Sequence, residues 1–139
     1  MARARDGFES EPLVGAPLDP LARSRDTGAP ETDLVVAGTV YYDIVFTFLS
    51  APPAVGTEVH TEGMGSCPGG VANVAVAGSR LGLRSAVAAA FGEDVYGDFS
   101  WATLAEQESV DLSCSRRFPD WHSPVTVSVG YGGDRSLVT

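Results

Sequence analysis

Two short apolar runs bracket one helix-like segment, and this arrangement constrains the fold more than any other feature. LVVAGTV (Leu34 to Val40) is almost continuously apolar and breaks at Gly38; SAVAAAF (Ser85 to Phe91) is the second such run and stops at Gly92. Runs without polar alternation suit strands of a parallel sheet buried on both faces. Between them lies SCPGGVANVAVAGSRLG, residues 66 to 82, which opens on a proline and two glycines. Its spacing predicts a helix from about Gly70 to Leu81. Val71, Val74, Gly78 and Leu81 would form one face, Ala72, Ala75 and Ser79 would keep the other side small, and Gly82 would end the helix. A strand, a helix and a second strand in that order imply a right-handed parallel crossover.

The rest of the chain divides around this unit. YYDIVFTFLS is rich in strand formers, APPAVG (Ala51 to Gly56) is a turn, and TEVHTEG (Thr57 to Gly63) alternates, so a half-exposed strand pairing back on the previous one is expected there. GEDVYGDFSWATLAEQESV reads as a turn and a helix with Asp94 as N-cap and with Val95, Phe99, Ala102 and Ala105 toward the sheet. VDLSCSRRF is a short strand or a loop. PVTVSVGYGGDRSLVT is a hairpin around Gly-Gly with Val125, Val127 and Val129 on one face. The expected class is α/β: a Rossmann-like parallel sheet with helices on both faces, plus a small separate β-sheet. Residues 1 to about 31 hold four prolines and no periodicity, which reads as a disordered leader or a misassigned start, leaving residues 32 to 139 as the folded part. The end, SLVT, falls inside an apparent strand. A truncated chain is the expectation, and a natural terminal strand is the alternative.

Composition excludes some functions. The formal net charge of −9 argues against a nucleic-acid partner. No apolar run approaches the ~18 residues that a membrane-spanning helix needs. Cys67 and Cys114 lie far apart without metal-type spacing, which suits a reducing, cytoplasmic setting. Without a single lysine there is no P-loop, and in GMGSCPG the last glycine comes one place late for GxGxxG while Pro68 interrupts it. His60 and His122 are isolated, and Ser66 and Cys67 have no His-Asp partners beside them. The sequence offers no metal ligand set and no catalytic acid or base.

What remains is a binding set. Asp43 lies five residues past Gly38, just beyond the carboxyl end of the first strand, where open α/β sheets bind ligands. A carboxylate there can accept two hydrogen bonds from vicinal hydroxyls; an ordinary loop aspartate fits the spacing equally well. Gly69 and Gly70 precede the helix and leave backbone N–H groups open to a ligand oxygen. Asn73 both donates and accepts, as a hydroxyl partner must. A flexible turn with a capping amide is the structural alternative. Taken together these residues describe a polyol-binding corner.

PGGVANVAVAGSRLG, with Gly92 ten residues after Gly82 and then GEDVYGD, resembles the first signature of the PfkB, or ribokinase-like, carbohydrate kinases. VVAGTVYYDIV resembles that family's opening strand with its substrate-binding aspartate, and PVTVSVGYGGDRSLVT its lid strands. Two departures stand out: only Val71 and Ala72 separate the paired glycines from Asn73, and Tyr41 replaces a commonly polar residue. The resemblance implies transfer of the ATP γ-phosphoryl group, with Mg2+, to a hydroxymethyl of a sugar or nucleoside. Asp43 and Asn73 would hold ring hydroxyls, Gly69 and Gly70 would line the pocket wall, and Tyr41 would stack on a sugar face or a base. Segments of about 43–63 and 124–139 would form a lid, with Phe46 and Phe48 as its apolar contact or as plain packing, and a homodimer could form through that lid. The family's second signature, with its G-A-G-D-like helix start, supplies the catalytic base and anion hole, and it does not occur in these 139 residues, nor do the nucleotide and metal contacts. The chain alone is therefore expected to be inactive. A non-catalytic sugar-binding module and an inactive remnant are the alternatives.

Overall fold

The computed structural model of the chain describes residues 31–139, so the expected leader lies outside the described residues except for Glu31. The first apolar run forms β1 (Leu34–Ala37) and the second begins with β4 (Ser85–Ala88). They pair in parallel, Leu34 opposite Ser85 and Ala37 opposite Ala88. Asp33 clamps the start of this pair: its carboxylate accepts from the Arg84 backbone N–H at 2.9 Å and from Arg84 Nη2 at 2.8 Å. Those hydrogen bonds from Arg84 hold its pKa at about 2. Among the described residues no helix is long and apolar enough to cross a membrane.

Helix α1 (Ala72–Arg80) lies between the two strands in sequence and ends as its glycine requires, with Gly82 at φ 90°. Of the residues expected on one face, Val71 packs against the core and Gly78 is buried, but Val74 and Leu81 are 54% and 83% exposed; the expected small side, with Ala72 and Ala75, turns inward beside Gly78. The reason is distance. A methyl group on Gly78 would sit 2.7 Å from both Leu34 Cδ2 and Ser85 Oγ, so only the small side of the helix can approach β1 and β4.

SAVAAAF divides after Ala88, and β5 (Ala90–Gly92) leaves β4 to pair in parallel with β6 (Arg116–Phe118). Ser115 marks the break: its hydroxyl donates to the Val87 carbonyl at 2.6 Å and accepts from the Ala89 N–H at 3.1 Å. Helix α2 (Val95–Ala102) runs on into a π-helical turn, Thr103–Gln107. Asp94 caps it, accepting from the N–H groups of Tyr96 at 3.1 Å and Gly97 at 2.8 Å, and it also accepts from the Ser123 N–H. Burial opposes ionisation of Asp94, but these hydrogen bonds outweigh it and hold the carboxyl below its ordinary range. The expected inward set again differs. Val95 is exposed, while Gly97, Ser100 and Leu104 are buried, because Gly97 passes close enough that an added Cβ would lie 2.1 Å from the Gly92 carbonyl oxygen. One core joins these layers: Val40, Ala72, Ala75, Val87, Phe91, Leu104, Val110 and Leu112.

A separate four-stranded sheet has the order β3-β2-β7-β8, made of β2 (Tyr42–Leu49), β3 (Gly63–Pro68), β7 (Val125–Tyr131) and β8 (Asp134–Val138). The β7–β8 hairpin forms at the expected Gly-Gly turn. The strand expected over Thr57–Gly63 forms instead at Gly63–Pro68, antiparallel to β2 from Thr47 opposite Gly63 to Tyr42 opposite Pro68. Pairing outweighs local propensity here. Residues 57–62 belong to the connection, which the Thr61 hydroxyl closes by donating to the Thr47 carbonyl at 2.5 Å.

Candidate functional site

The site begins where β1 runs out. Past Ala37 the chain turns at Gly38 and enters β2 at Tyr42, so Asp43 is the second residue of a strand that belongs to the other sheet. The segment before α1 is tied back to this crossing by two backbone bonds, Gly69 N–H to the Tyr41 carbonyl at 2.8 Å and Val71 N–H to the Thr39 carbonyl at 3.2 Å. These bonds bring residues about thirty apart in sequence into one corner.

The two glycines do different work there. Gly69 is buried, and a Cβ on it would lie 2.0 Å from Asp43 Oδ2 and 2.4 Å from Asp43 Cγ; its bareness makes the room that the carboxylate fills. Gly70 has φ +63°, and a Cβ there would meet the Thr39 carbonyl oxygen at 2.4 Å and the Tyr41 ring at 2.8 Å. Asn73 follows in the first turn of α1 and is exposed.

Tyr41, Asp43, Gly70 and Asn73 line one cleft of about 390 Å³. Gly69 is not part of its lining and stands behind Asp43 instead. The far wall comes from β7 and β8 through Thr126, Ser128, Arg135, Leu137 and Thr139, residues that the sequence reading took only as part of a lid segment and did not single out. The signal was present in the alternation of PVTVSVGYGGDRSLVT: if the valines share one face, the residues between them share the other. A second cleft, of about 460 Å³, lies between Gly38, Thr39, Arg116, Phe118 and Trp121, and none of the five sequence candidates lines it.

Electrostatically the cleft is built around Asp43. Burial pushes its pKa up, and the nearby Arg135 guanidinium pulls it partly back. No hydrogen bond from the described residues reaches its carboxylate, which is left to accept from whatever enters the cleft. Cys67 sits opposite Asp43 on β3, and burial and the Asp43 charge raise its thiol pKa, so it is no thiolate nucleophile. Among the described residues no group of three or more His, Cys, Asp or Glu is placed to hold a metal ion. The cleft therefore presents a carboxylate, a carboxamide and hydroxyls, all able to hydrogen-bond a ligand.

A ribokinase-like α/β unit with a lateral β-sheet defines a class of proteins, and the sequence places the chain within it. Residues 31–139 match the pfkB family carbohydrate kinases, and the chain belongs to that family. No curated protein matches it. Among solved structures, ribokinase of Arabidopsis thaliana complexed with ribose and ATP is 24% identical with a TM-score of 0.65, over 77% of this chain and 35% of that one. A sugar kinase of Pyrococcus horikoshii in complex with ATP is 25% identical at a TM-score of 0.61, over 76% and 33%. Fructokinase of Halothermothrix orenii is 20% identical at a TM-score of 0.64, over 76% and 36%. The fold is ribokinase-like, and the chain spans about a third of the length of these proteins.

Proposed function

We propose that these residues form the acceptor-binding part of an ATP-dependent carbohydrate kinase, which transfers the γ-phosphoryl group to a hydroxymethyl of a sugar or nucleoside. The observation that carries this reading is the meeting of Asp43 and Asn73 in one cleft with Tyr41 and Gly70. Asp43 accepts hydrogen bonds from two ring hydroxyls, and Asn73 donates to or accepts from a third group. Tyr41 offers its ring to the sugar face or base, Gly70 its backbone, and Gly69 the space for Asp43. Holding the acceptor oxygen in line is a large share of phosphoryl transfer, because little covalent chemistry falls to the protein. The β3-β2-β7-β8 sheet is the lid, and closing it over the sugar excludes water.

ATP is the phosphoryl donor in this reading, and Mg2+ is its counter-ion. Among the described residues no group of three or more His, Cys, Asp or Glu is placed to hold the metal; in this reading their part is to hold the acceptor. General-base help is worth ~10²–10⁴-fold, and each anion-stabilising donor roughly 10²–10³-fold. A chain that supplies neither is expected to bind acceptor without turning it over. Titration calorimetry with ribose, fructose and adenosine, beside a phosphorylation assay with ATP and Mg2+, separates the parts of the proposal. Binding without product is expected. Product from the 139 residues alone would overturn the division of labour, and no binding of any of the three would overturn the acceptor reading.

A non-catalytic sugar-binding module is the second reading. Coding DNA beyond Thr139 distinguishes the two: a G-A-G-D segment in frame supports the kinase. The unpaired, exposed thiols of Cys67 and Cys114 fit a reducing cytoplasm.

We further propose that a second copy covers the outer face of the lid. Opposite the cleft that face presents Ile44, Phe46, Val127 and Val129 in register, with Met64 66% and Val138 68% exposed at its edges. Sedimentation equilibrium is expected to show a dimer that Val138→Asp shifts to monomer; a wild-type monomer at high micromolar concentration contradicts it.

A further inference from the structure

The chain crosses to the four-stranded sheet at one end of that sheet. Residues 38–41 lead into β2, 69–71 lead out of β3 and 119–124 lead into β7. The register brings these three points together, because Tyr42 lies opposite both Pro68 and Val125. Ser123, just before β7, donates its N–H to the Asp94 carboxylate at 2.8 Å, and its hydroxyl accepts from the Gly92 N–H at 3.1 Å. The Tyr42 N–H donates to the Pro124 carbonyl at 2.8 Å, which ties β2 to the same place. The sheet is therefore anchored beside the first turn of α2.

Tyr42 adds a side-chain contact at this anchor. Its neighbours Tyr41 and Asp43 line the acceptor cleft, and alternation along the strand sends the Tyr42 ring to the opposite face. There it meets α2. Its ring centroid lies 5.0 Å from Tyr96 with the planes tilted by 47°, and 5.2 Å from Phe99 with the planes nearly edge-on at 81°. These are geometries of attractive aromatic pairs. The other aromatic pairs among the described residues, Phe91–Trp101 and Phe118–Trp121, do not involve the four-stranded sheet.

The contact has leverage on the site. Asp43, Thr126 and Ser128 belong to the sheet, whereas Gly70 and Asn73 belong to the start of α1. A tilt of the sheet about its anchored end changes the gap between these two sets. Helix α2 is a firm stop for that tilt, because the Asp94 cap and the close approach of Gly97 to Gly92 fix it to the core. We propose that Tyr42, Tyr96 and Phe99 form the pivot that sets the angle of the lid, and that Tyr42 is thereby a positioning residue for Asp43. None of the three lines the cleft, yet they govern how tightly it holds an acceptor. The effect on binding rests on the acceptor-binding reading of the cleft; the pivot itself does not.

The test reads lid angle and binding on the same variants. Cys114 is exposed ahead of β6, Ser136 is exposed on β8, and Cys67 is the only other thiol of the chain. In a Cys67→Ser, Ser136→Cys background, nitroxides at positions 114 and 136 give a distance distribution by dipolar EPR with no ligand present. Tyr42→Ala is expected to broaden that distribution. Calorimetry with ribose, fructose and adenosine is expected to show a loss of about tenfold or more for whichever of them binds the unsubstituted protein, as two lost aromatic pairs imply. Tyr42→Phe keeps the ring and should leave the distribution unchanged and binding within about twofold. Tyr96 and Phe99 are each 39% exposed, so Tyr96→Ala and Phe99→Ala probe the pivot from α2 without opening a buried cavity. Each should broaden the distribution in part and weaken binding roughly two- to tenfold. An unchanged distribution in folded Tyr42→Ala overturns the pivot whatever the sugars do, and where Tyr42→Ala does not fold, an unchanged distribution in both α2 variants does the same. A broadened distribution with undiminished binding overturns the positioning role of Tyr42. If the distribution broadens but none of the three ligands binds the unsubstituted protein, the pivot stands and the acceptor reading falls.

Discussion

Replacing Asp43 by alanine is expected to abolish acceptor binding and leave the fold as stable as before, or more so. The carboxylate accepts nothing from the described residues, and burial raises its pKa. With the folded pKa above the unfolded one, the contribution of Asp43 to stability is greatest while it is protonated and declines as pH rises through the folded pKa. At neutral pH its charge therefore works against folding, and Asp43→Ala or Asp43→Asn relieves that cost. Binding runs the other way. A hydrogen bond to a charged group is worth ~1.5–3 kcal/mol, so losing two of them lowers affinity by at least about 10²-fold. A neutral sugar should also leave wild type as pH falls through the raised pKa, beginning above the ordinary aspartate value of 3.8. Calorimetry and thermal melts on the same preparations read both effects. Undiminished binding by a folded Asp43→Ala protein contradicts the account.

Gly69→Ala should reproduce that loss without touching the carboxylate chemically. The new methyl would lie within 2.6 Å of all three atoms of the Asp43 carboxyl group. The backbone of Gly69 is not left-handed, so the alanine itself is tolerated and the Asp43 side chain must swing aside. The expected result is a binding loss of about 10²-fold, matching a displaced charged hydrogen-bonding group, with only a modest change in melting temperature. The double variant with Asp43→Ala should bind no worse than Asp43→Ala alone, the non-additivity expected of residues acting through one contact. Gly70→Ala is the contrast. It forces a left-handed backbone on alanine, costing about 1–2 kcal/mol, and it drives the methyl against the Thr39 carbonyl, so its effect falls on stability.

Several parts of this structure could be read from residue order because the causes are local. β1, the start of β4 and the β7–β8 hairpin announce themselves by apolar runs and Gly-Gly, Asp94 caps α2, and Gly82 ends α1. The inward faces of the helices were legible only in part: the small side of α1, with Ala72 and Ala75, was visible, but apolarity also pointed to Val74, Leu81 and Val95, and backbone proximity at Gly78 and Gly97 decided which side could approach the strands. β3 was misplaced because alternation in TEVHTEG is a local signal, whereas the register with β2 is not. The candidate site shows the same division. The residue types at Asp43, Gly69, Gly70 and Asn73 were visible, but the bonds from Gly69 to Tyr41 and from Val71 to Thr39 were not. Nor was the parallel pairing of β2 with β7 that brings Thr126, Ser128 and Arg135 to face them.

Asn73 is the only asparagine in the chain and Gln107 the only glutamine, so an amide-correlated NMR spectrum contains just two side-chain NH2 pairs. Titration with ribose, fructose, fructose 6-phosphate and gluconate reads the clasp directly. With at least one of these sugars the Asn73 pair and the Gly69 and Gly70 backbone signals are expected to move together on one saturable curve, while the Gln107 pair stays still. Saturable shifts that bypass Asn73 and the two glycines, or none with any of the four sugars, would contradict a sugar held between Asp43 and Asn73.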